Sequence, residues 1–164
     1  LPANWTGDAA GDTGPGWGWA AHLLPYLEQE PLYRQIRFDQ PIEAAIHDGT
    51  RMQVLSIFRC PSDSPLPPGE KFTAAGANLE VAFSNYAGMY GTGEASEHPS
   101  TGDGVFFRNS RVRIEHITDG SSNTVAAGER SASRVYGTWV GSITGAETPP
   151  APGSPSTVTE EGPA

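Results

Sequence analysis

The sequence contains a single cysteine, Cys60, and a single lysine, Lys71. One thiol excludes an internal disulfide, a CxxC redox pair and a cysteine-built zinc site. Cationic charge rests on ten Lys and Arg residues against nineteen Asp and Glu, for a net charge of −9. That balance argues against nucleic acid and against anionic lipid, both of which attract a basic face. Long apolar runs are missing too: no stretch approaches the ~20 residues of a membrane span, and no signal peptide is visible. Leu, Ile, Val and Phe make up less than a fifth of the chain. A core must therefore lean on the four Trp and five Tyr, each of which can bury ~150–250 Å².

Turn formers are plentiful, with 20 Gly and 15 Pro in 164 residues. Residues 1–16 read as a flexible Gly/Asp/Thr-rich segment and residues 144–164 as a polar linker or tail, leaving 17–143 as the folded domain. Between Trp17 and Phe38 the apolar spacing is helical (Trp19, Leu23, Leu27, then Leu32 and Ile36), interrupted by Pro25 and Pro31. A further helix is expected over Ile42 to Phe58, with Asp48-Gly49 as a weak point. Beyond Cys60 a Pro-rich connection leads to strand-like segments: Val81–Tyr90, Gly104–Arg108, Arg111–Ile114, Thr124–Glu129 and Tyr136–Ile143. Helices first and strands later define an α+β domain with an antiparallel sheet and long loops.

Candidate chemistry is sparse. Histidines stand at 22, 47, 98 and 116, none paired with another at metal-ligand spacing. No Gly-x-Ser-x-Gly elbow is present, and the Gly14 to Trp19 run follows no strand, so neither a hydrolase nor a phosphate cradle is expected. Asp119-Gly120-Ser121-Ser122-Asn123 has oxygen donors at Asp119, Ser121 and Asn123 that suit calcium. It lacks the glycine and terminal acid of an EF-hand, and Asp-Gly is a strong turn former, so the turn reading is preferred. Trp17, Trp19 and Tyr86 could stack on a sugar, and Arg108, Arg111 and Arg113 form the basic cluster that an anion or partner could use. Packing and a solvated strand face are the plainer readings of both groups. Asn4-Trp5-Thr6 matches a glycosylation sequon.

Several short motifs stand in a definite order. They are Gly16-Trp17-Gly18-Trp19, Leu24-Pro25-Tyr26-Leu27-Glu28-Gln29, Leu32-Tyr33, Cys60-Pro61-Ser62-Asp63, Ser84-Asn85-Tyr86, Gly102-Asp103-Gly104-Val105-Phe106 and Ile117 to Thr124. Gly128-Glu129-Arg130 and Thr138-Trp139-Val140 close the series. Over about residues 16–141 this order resembles a domain family of unknown function, greatly expanded in planctomycete bacteria. Members of that family carry a prepilin-type cleavage and methylation signal, and the family also bears a solute-binding-type label.

The resemblance implies a pilin-like head, extracytoplasmic and membrane-anchored or at the cell surface, associated with a type II secretion-like or surface assembly. Its implied partners are other pilin-like subunits or cell-surface components, with no cofactor and no catalysis. Contact with the membrane is implied only through an N-terminal apolar helix, which family members carry and this sequence does not. The chain is therefore expected to be a fragment cut at both ends, and Cys60 either has a disulfide partner outside the fragment or is a buried thiol. A surface module that binds a solute or glycan is the alternative.

Overall fold

The computed structural model describes residues 14–64, 66–74, 77–92 and 100–143. The expectations for residues 1–13 and 144–164, with the sequon and His98, lie outside those residues. The chain folds as an α+β unit in which short helical turns come first and two small antiparallel sheets follow. Helix α1 (Trp19–Leu23) passes into a 3₁₀ turn over Leu24–Leu27, where Pro25 supplies no amide for a continued helix. Glu28 adopts a left-handed φ of 60° and stops the turn. Helix α2 (Glu30–Tyr33) then starts with Pro31 in its first turn, where a missing N–H does no harm.

The helix expected across Ile42 to Phe58 is not continuous. It divides into a 3₁₀ turn at Ala45–His47, helix α3 (Asp48–Arg51) and a 3₁₀ turn at Ser56–Phe58. Two side chains bond to backbone carbonyls at the edge of this segment and within it. Trp139 Nε1 donates to Gln53 O at 3.0 Å, and His47 Nδ1 bonds Pro41 O at 2.9 Å. Asp48 and Arg51 pair at 2.6 Å across the single turn that remains.

Strands β1 (Lys71–Ala74), β2 (Leu79–Ser84) and β5 (Gly137–Thr138) form one sheet in the order β1-β2-β5. Phe72 lies opposite Val81, and Phe83 opposite Thr138. Strands β3 (Tyr86–Gly88) and β4 (Ala127–Glu129) form the second sheet, with Ala87 opposite Gly128. The strand expected over Val81–Tyr90 is thus two strands in two sheets, divided at Asn85.

The expected strands Gly104–Arg108 and Arg111–Ile114 are absent. Gly104 N donates to Tyr90 O, and the Val105 and Phe106 amides both donate to Met89 O, so the chain doubles back there. Asn109 then takes a left-handed φ of 56°, and Ile114–His116 is a 3₁₀ turn. Of Thr124–Glu129 and Tyr136–Ile143, only Ala127–Glu129 and Gly137–Thr138 are strand. Past Thr138 the chain pairs instead with the start of the domain.

That pairing forms a terminal junction. Trp17 bridges Gly141 in antiparallel register, with Gly18 N donating to Val140 O at 2.8 Å and Ser142 N to Gly16 O at 2.9 Å. Gly16 (φ 74°) and Gly141 (φ 132°) lie so close that a Cβ on either would strike the opposite backbone. The Gly-rich run is therefore a packed contact and not a flexible approach. Behind it the core gathers Trp17, Leu24, Ile42, Val81, Phe83, Trp139 and Val140, all essentially inaccessible. Trp139 stacks on Phe58, and Trp17 meets Phe38 edge to face. Among the described residues no helix is long and apolar enough to cross a membrane.

Two aromatic deletions separate core from periphery. Trp17 and Trp139 are 0% and 1% exposed, and each indole donates to a backbone carbonyl. Trp17→Ala and Trp139→Ala should each remove ~3–5 kcal/mol of stability. Half-buried Trp19, stacked on Phe106, should lose clearly less. Denaturant titration of the three variants checks the order; equal losses would contradict it.

Candidate functional site

The densest polar cluster lies where the two sheets meet. Asn85 follows directly on β2, whose last four residues Val81 to Ser84 are all buried, and is itself 0% exposed. An amide buried among apolar groups costs about 1–3 kcal/mol unless it is hydrogen-bonded, and both Asn85 side-chain polar atoms are bonded. Its Oδ1 accepts the Cys60 amide at 2.8 Å. Its Nδ2 donates to Asp63 Oδ2 at 2.6 Å and to Arg130 O at 3.1 Å. Its backbone N–H donates to Phe58 O at 2.9 Å, and its carbonyl accepts the Arg130 amide at 2.6 Å.

Asp63 completes the node. Oδ1 accepts the Ser131 hydroxyl at 2.7 Å, while Oδ2 also accepts the Ala132 amide at 2.6 Å. Partial burial pushes the Asp63 carboxyl up, but the bonds from Ala132, Ser131, Asn85 and Ser64 outweigh it, and the net shift is downward. Beside the node, Arg59 pairs with Glu70 at the approach to β1. Cys60 is a free, half-buried thiol whose backbone, not its sulfur, takes part.

Chemically this arrangement binds chain to chain. Both oxygens of Asp63 and both amide hydrogens of Asn85 are engaged within the protein. Three of the ordered motifs, Cys60 to Asp63, Ser84 to Tyr86 and Gly128 to Arg130 with Ser131 after it, thereby become one object. The sequence held a signal for it: an asparagine directly after a buried strand demands partners. What it did not contain was which distant residues would supply them.

The residues considered as a binding surface differ in their exposure. Trp17 and Arg108 are buried. Trp19 covers one ring face with Phe106 at 5.3 Å, and Tyr86 is half-buried in β3. Arg111 and Arg113 are exposed, and Arg113 pairs with Glu115 at 3.2 Å. In the Asp119 to Asn123 segment the bonds are those of a turn: Asn123 Nδ2 donates to Asp119 O at 3.0 Å, and Thr124 Oγ1 to Gly120 O at 3.2 Å. Among the described residues no three His, Cys, Asp or Glu side chains are grouped to hold a metal. His116 Nδ1 accepts the Arg113 amide at 3.3 Å, a local bond within its own turn.

A second carboxylate, Asp103, closes a loop at its base. It accepts the Thr92 hydroxyl and the Thr92 amide, each at 2.7 Å, and these bonds hold its carboxyl below the usual range. The Gly102-Asp103-Gly104 motif is thus a clip, set where the chain doubles back onto Met89 and Tyr90.

Fold and node together define an α+β domain of short elements in which three of the ordered motifs bond to one another. The chain belongs to the family described as "Protein of unknown function (DUF1559)", which matches residues 1–159 and carries a short label of the bacterial solute-binding type. No curated protein and no solved structure matches it.

Removing one member of the node strands several partners. Asn85→Ala leaves the Cys60 amide and the Arg130 carbonyl without their bonds and should cost ~2–4 kcal/mol, read by chemical denaturation. Because the Asp63 carboxyl is lowered on folding, its contribution is complete above the ordinary carboxylate value of about 4 and is lost as pH falls through the lowered value. Acid unfolding of Asp63→Asn, followed by fluorescence, should lack that step; an unchanged profile would contradict the node. For the turn, Asn123→Ala should cost ~0.5–1.5 kcal/mol, and calcium should leave the Tm of both proteins where it was.

Proposed function

We propose that the chain is the extracytoplasmic head of a pseudopilin-like structural protein of the cell surface or of a secretion-like assembly, with no catalytic role. The observation that carries this reading is the terminal junction. Residues 16–18 and 140–142 pair side by side, so the described chain comes in and goes out at one pole. A head carried on an apolar stem is compatible with that geometry, which offers one pole for attachment. The bonds that join three of the motifs at Asn85 and Asp63 support the same reading, because they maintain shape. In this proposal the membrane is met only through a prepilin-type helix outside the sequence, and the partners are other pilin-like subunits or cell-surface components.

The solute-binding label of the family favours a second reading, a surface module for a solute or glycan. One pair of measurements separates the two. The full-length gene product, expressed with a prepilin peptidase, should show a cleaved and N-methylated terminus by mass spectrometry and should co-assemble with pilin-like subunits. The head alone should give no saturable heat with a panel of sugars and small solutes. Saturable binding by the head, with an unprocessed terminus in the full-length protein, would replace the first reading with the second.

A further inference from the structure

His47 is 0% exposed and lies edge to face against Trp17, with ring centroids 4.8 Å apart. Its two nitrogens close the loop of residues 37–47. The Arg37 amide donates to Nε2 at 3.1 Å, and Nδ1 bonds Pro41 O at 2.9 Å. An amide N–H can only donate and a carbonyl oxygen can only accept, so the hydrogen sits on Nδ1 and the lone pair on Nε2. The closed loop therefore requires the neutral Nδ1–H ring. An imidazolium carries hydrogen on both nitrogens and has nothing with which to receive Arg37.

This loop in turn holds the terminal junction. Gln40 O accepts Trp17 Nε1 at 3.0 Å, and Ile42 N donates to Pro15 O at 3.1 Å. Trp17 is the residue bridged to Gly141. A single imidazole thus stands between the loop and the pole where the chain comes in and goes out. We infer that His47 is an acid-released latch: protonation frees the loop of residues 37–47 and, with it, the loop's grip on the terminal junction. The latch stands on the geometry: a ring with hydrogen on both nitrogens cannot accept the Arg37 amide. The inference is independent of whether the head assembles or binds a solute.

Other charged groups belong to the elements packed at this place. His22 stacks on Phe38 at 4.6 Å, and Phe38 also touches Trp17 and Tyr33. Burial pushes the His22 ring below the ordinary imidazole value. Its contribution to stability is thus present above that value and lost as pH falls through the lowered one, in the same direction as the latch. Arg37 and Asp39 are exposed on the loop, Glu43 is half-buried, and Asp48 and Arg51 pair with each other. His22 is therefore the group to remove before the latch is tested.

The experiment uses the His22→Phe protein, which keeps a ring on Phe38. Amide exchange by NMR, corrected for intrinsic rates, is followed from about pH 8 to about pH 5, with ¹⁵N shifts of the His47 ring. The expected result is an Nδ1–H tautomer at the upper pH. As the ring protonates, the Arg37 and Ile42 amides and the Trp17 indole should lose protection together, while the Asn85 amide keeps its own. Adding His47→Gln, whose carboxamide both accepts and donates without titrating, should flatten the response. If that variant does not fold, the His22→Phe profile decides alone. An Nε2–H tautomer, protection of Arg37 that survives ring protonation, or simultaneous loss at Arg37 and Asn85 would each overturn the latch.

Discussion

The carboxamide of Asn85 is the contact on which the two halves of this domain depend. Its oxygen and both its amide hydrogens reach segments more than twenty residues away on either side, toward Cys60 and Asp63 in one direction and Arg130 in the other. Its own backbone joins the same two segments. Buried hydrogen bonds of this kind add modest net stability each, but leaving any one of them unmade is expensive. The node therefore selects one arrangement of the sheets over its competitors. It also explains why the chain crosses from one sheet to the other at this residue: the β2 ladder ends where the amide groups of Asn85 are taken elsewhere.

With few aliphatic residues available, large rings hold the rest of the core, and they do so with direction. Trp17 and Trp139 each place an indole N–H on a backbone carbonyl, at Gln40 and Gln53. Those bonds tie the indoles to segments 23 and 86 residues away in sequence. The same economy governs the terminal junction, where glycine backbones touch because no side chain intervenes. Short elements and long connections are the outcome of a thin core stabilised by polar and aromatic contacts at particular points.

The family to which the chain belongs has a description without an activity. Within it, the ordered motifs acquire a physical meaning from this structure. The Cys-Pro-Ser-Asp, Ser-Asn-Tyr and Gly-Glu-Arg segments meet at Asp63 and Asn85, and the Gly-Asp-Gly segment closes a loop through Asp103 and Thr92. The Gly-Trp-Gly-Trp segment closes the junction. Such motifs maintain a shape, while the exposed segment around Arg111, Arg113 and Ile114 is less constrained by them.

Some of this was legible in the sequence alone. The α+β class, the change from helical to strand-like spacing near Cys60 and the turn at Asp119 to Asn123 follow from local rules: proline blocks helix amides, β-branched and aromatic runs favour strands, and Asp-Gly favours turns. Those rules act over a few residues and read well from a few residues. They misplaced the helix over Ile42 to Phe58 and two strands between Gly104 and Ile114, because there a distant side chain or a doubled-back carbonyl outcompeted local preference. Asp63 with Asn85, and His47 with Arg37 and Pro41, are pairings across tens of residues or around a closed loop. Their donors and acceptors are written in the sequence, but only the folded chain brings them within 3 Å or so, and hydrogen bonding at that range has no counterpart in sequence spacing.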